Sequence, residues 1–335
     1  MWKQDYDFLI LRGKRLYILL DREDLVYGVR LVRSRFVKRA LILGYHSIRD
    51  QEHDPFRLGV STENFEQHIE VLREYAHVLS VSNLLSFVRR GRLPARSVAI
   101  TFDDGYVDNL ETVLPLLQRR SFPATVFMTT GYFGKEFWWD SLVRLVYSVG
   151  DVDSISLRLS STKFEWCRDI VPFTQVELVK QLGDFLIPLS SHERFSRLEE
   201  LREIFSVKPD DPPNTVALTE SQTKTLASSP LIEIGCHTVS HPMLSRVSIS
   251  EQRAEIAESK EVLERLTGQP IDGFAFPHRS ICETSTQIVR DVGFKYACSG
   301  EADIVWRRTN PFSLPRVWVP NCTGEVFLKR LNRWL

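Results

Sequence analysis

The chain has 335 residues, a length that suits one barrel-sized domain with insertions, and its hydrophobic fraction of 43% is enough for a sizeable core. Its 43 basic and 43 acidic residues cancel, which argues against nucleic acid as the main partner. Its five cysteines are an odd set without a C-x-x-C pair, which argues against a disulfide framework and against a cysteine zinc site.

The first 38 residues contain two short apolar runs, at 8–11 and 16–20. Charged residues interrupt both, so neither approaches the roughly 20 apolar residues of a membrane span. No signal peptide with a cleavage site is recognisable. We therefore expect a cytoplasmic protein in which residues 1–38 form a separate helical extension. Association of this extension with a membrane surface or with a partner stays open.

From residue 39 onward, short apolar or β-branched runs alternate with segments of helical periodicity. Ser61 is a predicted helix N-cap, and Ser248 with Glu251 forms the capping box of a later helix. Strand–helix alternation of this length favours a parallel sheet, open or closed into a barrel. The strand-like runs are residues 40–44, 98–102, 124–129, 231–236, 273–276 and 296–299.

Residues 134–228 interrupt this alternation. The segment begins with a Phe-Trp-Trp-Asp sequence at 137–140 and is mostly helical in its pattern afterwards. We predict a mainly helical insertion between two strands of a barrel that is formed by residues 39–133 and 229–335.

Two adjacent carboxylates, Asp103 and Asp104, follow the strand-like run at 98–102. Such a pair at a strand end is costly unless a cation neutralises it. Gly105 permits the turn that lets the two side chains take different roles. Considered alone, the segment fits a simple Asp-Asp-Gly turn that caps a helix as well as it fits a metal site.

His237 and His241 follow the run at 231–236. On a helix, residues four positions apart lie on one face, where two imidazoles can bind one metal ion. Two histidines and one carboxylate are the ligands expected of a catalytic divalent metal site that leaves positions open for water and substrate.

Two further histidines follow strand-like runs, His46 after 40–44 and His278 after 273–276. A single histidine is more often a hydrogen-bonded structural residue than a catalytic one. In a βα barrel, however, all strand C-termini open onto the face where active sites lie. The residues expected to converge there are Asp103, Asp104, His237, His241, His278 and His46.

The sequences T-F-D-D-G at 101–105 and H-T-V-S-H at 237–241 resemble the first two motifs of the polysaccharide deacetylases, the NodB-homology carbohydrate esterases. Outside the insertion, the resemblance runs from about residue 41 to 319 and includes the 274–277 stretch and Leu314-Pro315-Arg316. It implies a distorted seven-stranded (β/α) barrel. It also implies metal-dependent removal of acetyl groups from an N-acetylated glycan or lipid-linked sugar, with Zn²⁺ as the expected metal.

Position by position, the resemblance implies that Asp104, His237 and His241 are metal ligands and that Asp103 is the catalytic base. It also implies that a backbone N–H near His278 is the oxyanion donor.

The general acid is implied by a departure from the usual motif order. The family's late L-x-x-H motif is missing, because no histidine follows His278. In members similar to the biofilm poly-N-acetylglucosamine deacetylases, this motif is circularly permuted to a Tyr-His at the end of the first strand. The resemblance to these members implies that His46 is the acid.

The third motif also departs from the family pattern. Its usual arginine falls at Ala275, and a common glycine falls at Arg279. Arg316 or Arg279 is expected to replace the lost charge and to orient Asp103.

Aromatic side chains near the strand ends could stack on sugar rings, although packing is their commoner role. Two other functions stay open: an amide or ester hydrolase for a non-sugar substrate, and a non-catalytic protein that keeps the fold for binding. The aromatic candidates are Tyr106, Trp138, Trp139 and Trp318.

Overall fold

The structure, a computed structural model, describes residues 38–149, 154–159, 162–167, 175–207, 213 and 215–335. The predicted extension at residues 1–38 lies outside the described residues, apart from Lys38. Its proposed membrane association and the expected cytoplasmic location stay predictions.

A parallel sheet forms the centre of the molecule. Its strands are β1 (Ala40–Tyr45), β4 (His77–Val78), β5 (Ser97–Phe102), β6 (Ala124–Met128), β9 (Ile232–Cys236), β10 (Gly273–Ala275), β11 (Tyr296–Cys298) and β12 (Val317–Trp318). Seven of them follow the order β11-β10-β9-β6-β5-β1-β12, and β4 pairs with β5 beside this path. Strands β1, β5 and β6 are buried along their whole length, as expected of a parallel sheet covered on both faces.

The sheet curls into a half-barrel. A parallel bridge between Cys298, at the end of β11, and Leu314, just before β12, draws the two sheet edges together. The predicted seven-stranded, distorted βα-barrel fold is thereby confirmed. In the described part of the chain, two small strand pairs lie outside this sheet: β2 (Ser47–Ile48) pairs with β3 (Gly59–Val60), and β7 (Ser154–Leu159) pairs in antiparallel fashion with β8 (Thr162–Cys167).

Helices connect and cover the strands. Ser61 caps the helix Thr62–Tyr75, since its side chain accepts a hydrogen bond from the backbone N–H of Asn64, and Ser248 forms the predicted capping box with Glu251. Among the described residues, no helix is both long enough and apolar enough to cross a bilayer. The α-helices of the described residues are α1 (Thr62–Tyr75), α2 (Val81–Arg89), α3 (Leu114–Arg120), α4 (Trp138–Ser148), α5 (Gln175–Leu186), α6 (Ser191–Ile204), α7 (Glu220–Ala227), α8 (Ile249–Thr267), α9 (Glu283–Asp291) and α10 (Gly324–Trp334).

The segment between β6 and β9 contains α4 to α7 and the β7–β8 hairpin. Helices α4, α5 and α6 share a hydrophobic cluster, which includes Leu142, Leu182 and Leu201. Tyr106, from the loop after β5, joins the same cluster, so this segment packs directly against the strand ends of the barrel. Helix α7 instead packs its buried Leu226 and Ala227 into the core of the barrel. The predicted domain limits at 134 and 228 stay a prediction.

Candidate active site

A cavity of about 600 Å³ lies at the C-terminal ends of β1, β5, β9 and β10. This is the edge of a βα barrel at which ligands bind. The cavity wall contains every residue that was expected to converge: Asp103, Asp104, His237, His241, His278 and His46.

A tight turn directs both carboxylates into the cavity. The backbone N–H of Gly105 donates to the carbonyl of Asp103 at 2.9 Å, and Asp104 and Gly105 have φ angles of +73° and +84°. A Cβ at position 105 would lie 2.5 Å from the sulfur of Met128 and would displace the end of that side chain, but the left-handed backbone angle is the main reason for a glycine here.

The end of β6 fixes the loops on its two sides. The backbone N–H of Thr129 donates to the carbonyl of Asp104 at 3.1 Å, and that of His237 donates to the carbonyl of Met128 at 2.8 Å. Because β6 lies between β5 and β9, these two bonds place a carboxylate from one neighbouring loop beside an imidazole from the other.

The segment from His237 to His241 is an irregular loop, so the expectation that both histidines share a helical face is wrong. Thr238 and His241 have φ angles of +68° and +56°, and these left-handed residues turn the chain back on itself. The carboxylate of Glu255, in α8, accepts hydrogen bonds from two backbone N–H groups of the loop at 2.8 Å each. This hydrogen-bonded loop therefore brings the imidazoles of His237 and His241 together.

Asp104, His237 and His241 form a compact, buried cluster in which one ligand atom from each residue lies within 4.8 Å of the others. His241 Nε2 lies 3.4 Å from Asp104 Oδ1 and 3.2 Å from His237 Nε2. His237 Nδ1 lies 2.8 Å from the carbonyl oxygen of Ala275. Since a carbonyl only accepts, Nδ1 carries the proton and Nε2 presents a lone pair to the cluster.

The cluster lacks a positive charge. Burial, followed by the charges of Asp103 and Asp140, raises the pKa of Asp104 well above its usual value, and its Oδ1 atom has no hydrogen-bond partner. Burial, followed by the charge of His278, lowers the pKa of His241 well below its usual value. An unpartnered carboxylate oxygen facing imidazole nitrogens fits a divalent cation.

Asp103 forms a bidentate ion pair with Arg316, at 2.5 and 2.7 Å, and both side chains are buried. Burial raises the pKa of Asp103, but the Arg316 charge opposes it and the resulting pKa lies below the usual value. Arg316 also donates to the carbonyl of Ser299 and lies over the ring of Trp318. Two arginines were expected to orient Asp103. Arg316 is the one that binds its carboxylate, whereas Arg279 is exposed on the cavity rim.

His46 stacks on Trp318, with ring centroids 4.6 Å apart and planes 15° from parallel. Burial lowers the pKa of His46 to about 4; the charge of Asp103 raises it and that of Arg316 lowers it. The imidazole is therefore neutral at pH 7.

His278 lies in a single 3₁₀ turn, Pro277–Arg279, after β10. His278 and Arg279 both have left-handed φ angles, +52° and +56°. The ring of His278 contacts that of His241 edge-on, with centroids 4.5 Å apart. Burial, followed by the charge of Arg194, lowers the pKa of His278 to about 4.

Helix α4 supplies an aromatic wall. Trp139 packs against His241 at 4.7 Å between centroids and donates its indole N–H to the hydroxyl of Tyr106 at 2.7 Å. Tyr106 in turn donates to Asp140 at 2.8 Å and is fully buried outside the cavity wall, so it is not available to a sugar. The aromatic candidates that do line the cavity are Trp138, Trp139 and Trp318.

Two residues behind the site were not found from the sequence. Asp140 is partly buried beside Tyr106 and Arg49, and this burial raises its pKa to about 7. Glu255 is one of several glutamates along α8, and nothing in its spacing distinguishes it. Only the folded contacts show that these carboxylates support the site.

Fold and site together define a curled βα barrel with a buried Asp/His/His cluster beside an Asp–Arg pair at the carboxyl edge of the sheet. The family model described as polysaccharide deacetylase matches residues 90–162 and 205–297. The chain belongs to the polysaccharide deacetylases of the NodB type, as its two motifs predicted.

Relatives in sequence agree with this assignment. The chain is 32% identical over 110 residues to a poly-β-1,6-N-acetyl-D-glucosamine N-deacetylase of Staphylococcus aureus, a match that covers 29% of this chain and 38% of that protein. It is 22% identical over 289 residues to a putative polysaccharide deacetylase, YxkH, of Bacillus subtilis, covering 85% of this chain and 74% of that protein. The match thus spans little more than a third of the staphylococcal enzymes.

Solved structures show the same fold. The Streptococcus pyogenes deacetylase PplD, solved with acetate, superposes with a TM-score of 0.59 at 20% identity, over 88% of this chain and 99% of that one. IcaB from Ammonifex degensii superposes with a TM-score of 0.59 at 16% identity, over 88% and 97%.

Proposed function

We propose that this protein is a metal-dependent hydrolase that removes acetyl groups from an N-acetylated sugar in a polysaccharide or glycolipid. One observation carries the proposal: His237 Nε2 lies 3.6 Å from Asp103 Oδ2 and 3.6 Å from Asp104 Oδ1. A carboxylate base therefore adjoins a cation site, which is the pairing that hydrolysis of an amide requires. Family membership and the names of the relatives support the choice of an acetylated sugar.

Asp104, His237 and His241 would hold the metal ion. We take the ion to be Zn²⁺, because two imidazoles and one carboxylate with open positions are typical of catalytic zinc. The ion would supply Lewis acidity, which lowers the pKa of a water molecule and polarises the acetamide carbonyl.

Asp103 accepts the proton of the water that attacks the acetamide carbonyl. The Arg316 guanidinium keeps this carboxylate ionised and fixes its orientation through two hydrogen bonds. Arg316 is thus a positioning residue, and Asp103 is the base.

The turn at Pro277–Arg279 lines the cavity, and a backbone N–H near His278 stabilises the charge that develops on the carbonyl oxygen. One such donor typically contributes about 3–4 kcal/mol to transition-state stabilisation.

His46 protonates the departing nitrogen, because an unprotonated amide nitrogen is a poor leaving group. With a pKa of about 4, His46 is neutral before the reaction. It must therefore take up a proton before it can donate one to the nitrogen. One proton leaves the attacking water for Asp103 and one proton reaches the departing nitrogen, so the overall reaction is balanced. Acetate and a free amino sugar result.

Acetate release from a panel of substrates tests the proposal. The zinc-loaded protein is expected to release acetate from N-acetylated sugars and oligosaccharides, and to stop when a chelator is added. Preferential cleavage of a non-sugar acetamide or acetate ester would instead identify another hydrolase on this scaffold. The absence of acetate from every compound would indicate a non-catalytic binding protein.

A further inference from the structure

Three arginines stand around the cavity that contains the Asp/His cluster: Arg57, Arg279 and Arg330. All three are exposed. None of them forms an ion pair or a side-chain hydrogen bond with any described residue. Arg57 comes from the loop before β3, Arg279 from the turn after β10 and Arg330 from α10, so three separate elements bring positive charge to one opening.

The acidic residues of the cavity do not balance this charge. Within the described wall they are Asp103 and Asp104 alone. The charge of Asp103 is neutralised by its ion pair with Arg316, and Asp104 faces the two imidazoles of the cluster. With a cation in the cluster, the remaining opening is strongly positive, and a low-dielectric cleft strengthens such a field.

The position of Arg279 is the most specific of the three. It has a φ of +56° and directly follows His278 at +52°, a pair of left-handed residues that is costly for non-glycine side chains. Its stem lies over Gly300, where an added Cβ would collide with the Cγ and Cδ atoms of Arg279. The fold thus accepts backbone strain at Arg279 and leaves space for its stem, which holds the guanidinium at the cavity.

Arg279 also lies within electrostatic reach of the proposed acid. Burial has the largest effect on the pKa of His46, and the charges of Asp103, Arg316 and His237 follow. The charge of Arg279 also acts on this pKa and lowers it. A group bound by Arg279 would therefore be near the atoms that react.

We propose that Arg57, Arg279 and Arg330 bind an anionic group, a phosphate or a carboxylate, carried by the same substrate whose acetamide is hydrolysed. This inference rests on the proposed function, and it names the substrate class as an anionic N-acetylated saccharide. Guanidinium groups bind both kinds of anion through paired hydrogen bonds.

Three acetylated probes distinguish the anion: neutral methyl N-acetylglucosaminide, N-acetylglucosamine 1-phosphate, and a disaccharide of glucuronate and N-acetylglucosamine. The variants are Arg57→Gln, Arg279→Gln, Arg330→Gln and the triple variant. Arg333→Gln is the matched control, since it removes the same charge one turn further along α10, at an exposed position outside the cavity wall. Circular dichroism and thermal melting confirm that each variant folds.

We expect the zinc-loaded parent to favour one anionic probe over the neutral one in kcat/KM. Each single substitution should reduce that preference about tenfold, the effect of one hydrogen-bonded charge. The triple variant should abolish it, and Arg333→Gln should retain it. Added salt should reduce the preference of the parent as well. Equal use of neutral and anionic probes, or a preference that survives the triple substitution, would overturn the proposal.

Calorimetry with the products separates this inference from the proposed function, because glucosamine 1-phosphate is not turned over. If no probe releases acetate but glucosamine 1-phosphate binding still depends on the three arginines, the anion site stands and the deacetylase proposal fails. If acetate is released while neither glucosamine 1-phosphate nor the deacetylated glucuronate disaccharide binds better than methyl glucosaminide, the anion site fails and the deacetylase proposal stands.

Discussion

Asp103 is buried, yet it carries a charge that Arg316 balances. In the proposed reaction it takes a proton from water, a role that an amide side chain cannot perform. We expect Asp103→Asn to lower kcat by about 100-fold or more, the usual effect of losing a general base.

Metal content provides the control for this variant. Asp103 is not one of the three residues that would hold the ion, so the Asn variant should bind as much zinc per chain as the parent. Activity equal to that of the parent would show that Asp103 is not the base.

The pKa of Asp103 reflects two opposing effects, since burial raises it and the Arg316 charge lowers it. Arg316→Lys keeps a positive charge but loses the paired hydrogen bonds. The pKa of Asp103 should therefore rise, and the carboxylate should lose its charge at a higher pH than in the parent. We expect the acid limb of the kcat/KM profile, measured from about pH 3 to 9, to move to higher pH.

Lysine is the informative replacement because an apolar residue would leave a buried charge unpaired, at a cost of about 3–5 kcal/mol. The melting temperature of the Lys variant shows whether the fold is retained. An acid limb that stays in place would mean that Arg316 does not set the protonation of Asp103.

Helix α8 acts on the site through one side chain. Glu255 accepts hydrogen bonds from the backbone N–H groups of Val239 and Ser240 at 2.8 Å, and from the hydroxyl of Ser240. Without this clamp, the loop between the two histidines loses the partners of its amides. We expect Glu255→Ala to weaken zinc affinity by about 10–100-fold, the range found for residues that support metal ligands.

Zinc affinity can be measured by competition with a chromophoric chelator. Glu258→Ala, at an exposed position on the same helix, is the matched control and should retain the affinity of the parent. Glu255→Gln keeps one acceptor oxygen and should recover part of the affinity. Equal affinity in all three variants would exclude a role for Glu255 in holding the loop.

The elements differ in how far they could be predicted. Strands such as β1 and β5 were predicted to within one residue at each end, because they are continuous apolar runs buried on both faces. Strand β12 has two residues, Val317 and Trp318, which is too short for any periodicity; it exists because its backbone pairs with β1. Such a strand forms because of tertiary contacts, and the local sequence contains no pattern that predicts it.

The site shows the same division. The residue types and strand-end positions of Asp103, Asp104, His237 and His241 could be read from the sequence, and so could the cavity that they share. The expected helix between the histidines was wrong, because a loop with two left-handed residues also brings imidazoles four positions apart together. The choice of Arg316 over Arg279 depends on long-range packing, which spacing does not encode.

At the scale of the whole molecule, His68 links distant parts of the chain. It lies in α1, its Nε2 is 2.8 Å from the carbonyl oxygen of Cys322, and its ring stacks on Phe327 of α10. Burial lowers its pKa to about 4, although the Cys322 carbonyl opposes the shift. The unfolded chain, with a histidine pKa of about 6.5, therefore binds a proton that the folded chain excludes.

The sign of the pH dependence follows. Between about pH 6.5 and 4 the unfolded state binds more protons, so the free energy of unfolding falls as pH falls, by at most about 1.4 kcal/mol per pH unit from this group. We expect His68→Gln to show a shallower decline than the parent in denaturant titrations. His77→Gln, at an exposed position, should follow the parent. A His68→Gln slope equal to that of the parent would contradict the assignment.

The pairing of β1 with β12 has a consequence for biosynthesis. His46 follows the first strand of the sheet. Arg316, which pairs with Asp103, directly precedes the last strand, and Trp318, which stacks on His46, belongs to that strand. The ribosome synthesises the chain from its N-terminus, so the other residues of the candidate active site emerge before Arg316 and Trp318. Until then, Asp103 has no arginine to pair with and His46 has no tryptophan to stack on. We therefore expect nascent chains stalled before residue 316 to lack a complete active site. Assembly of this site would then be a late step in folding.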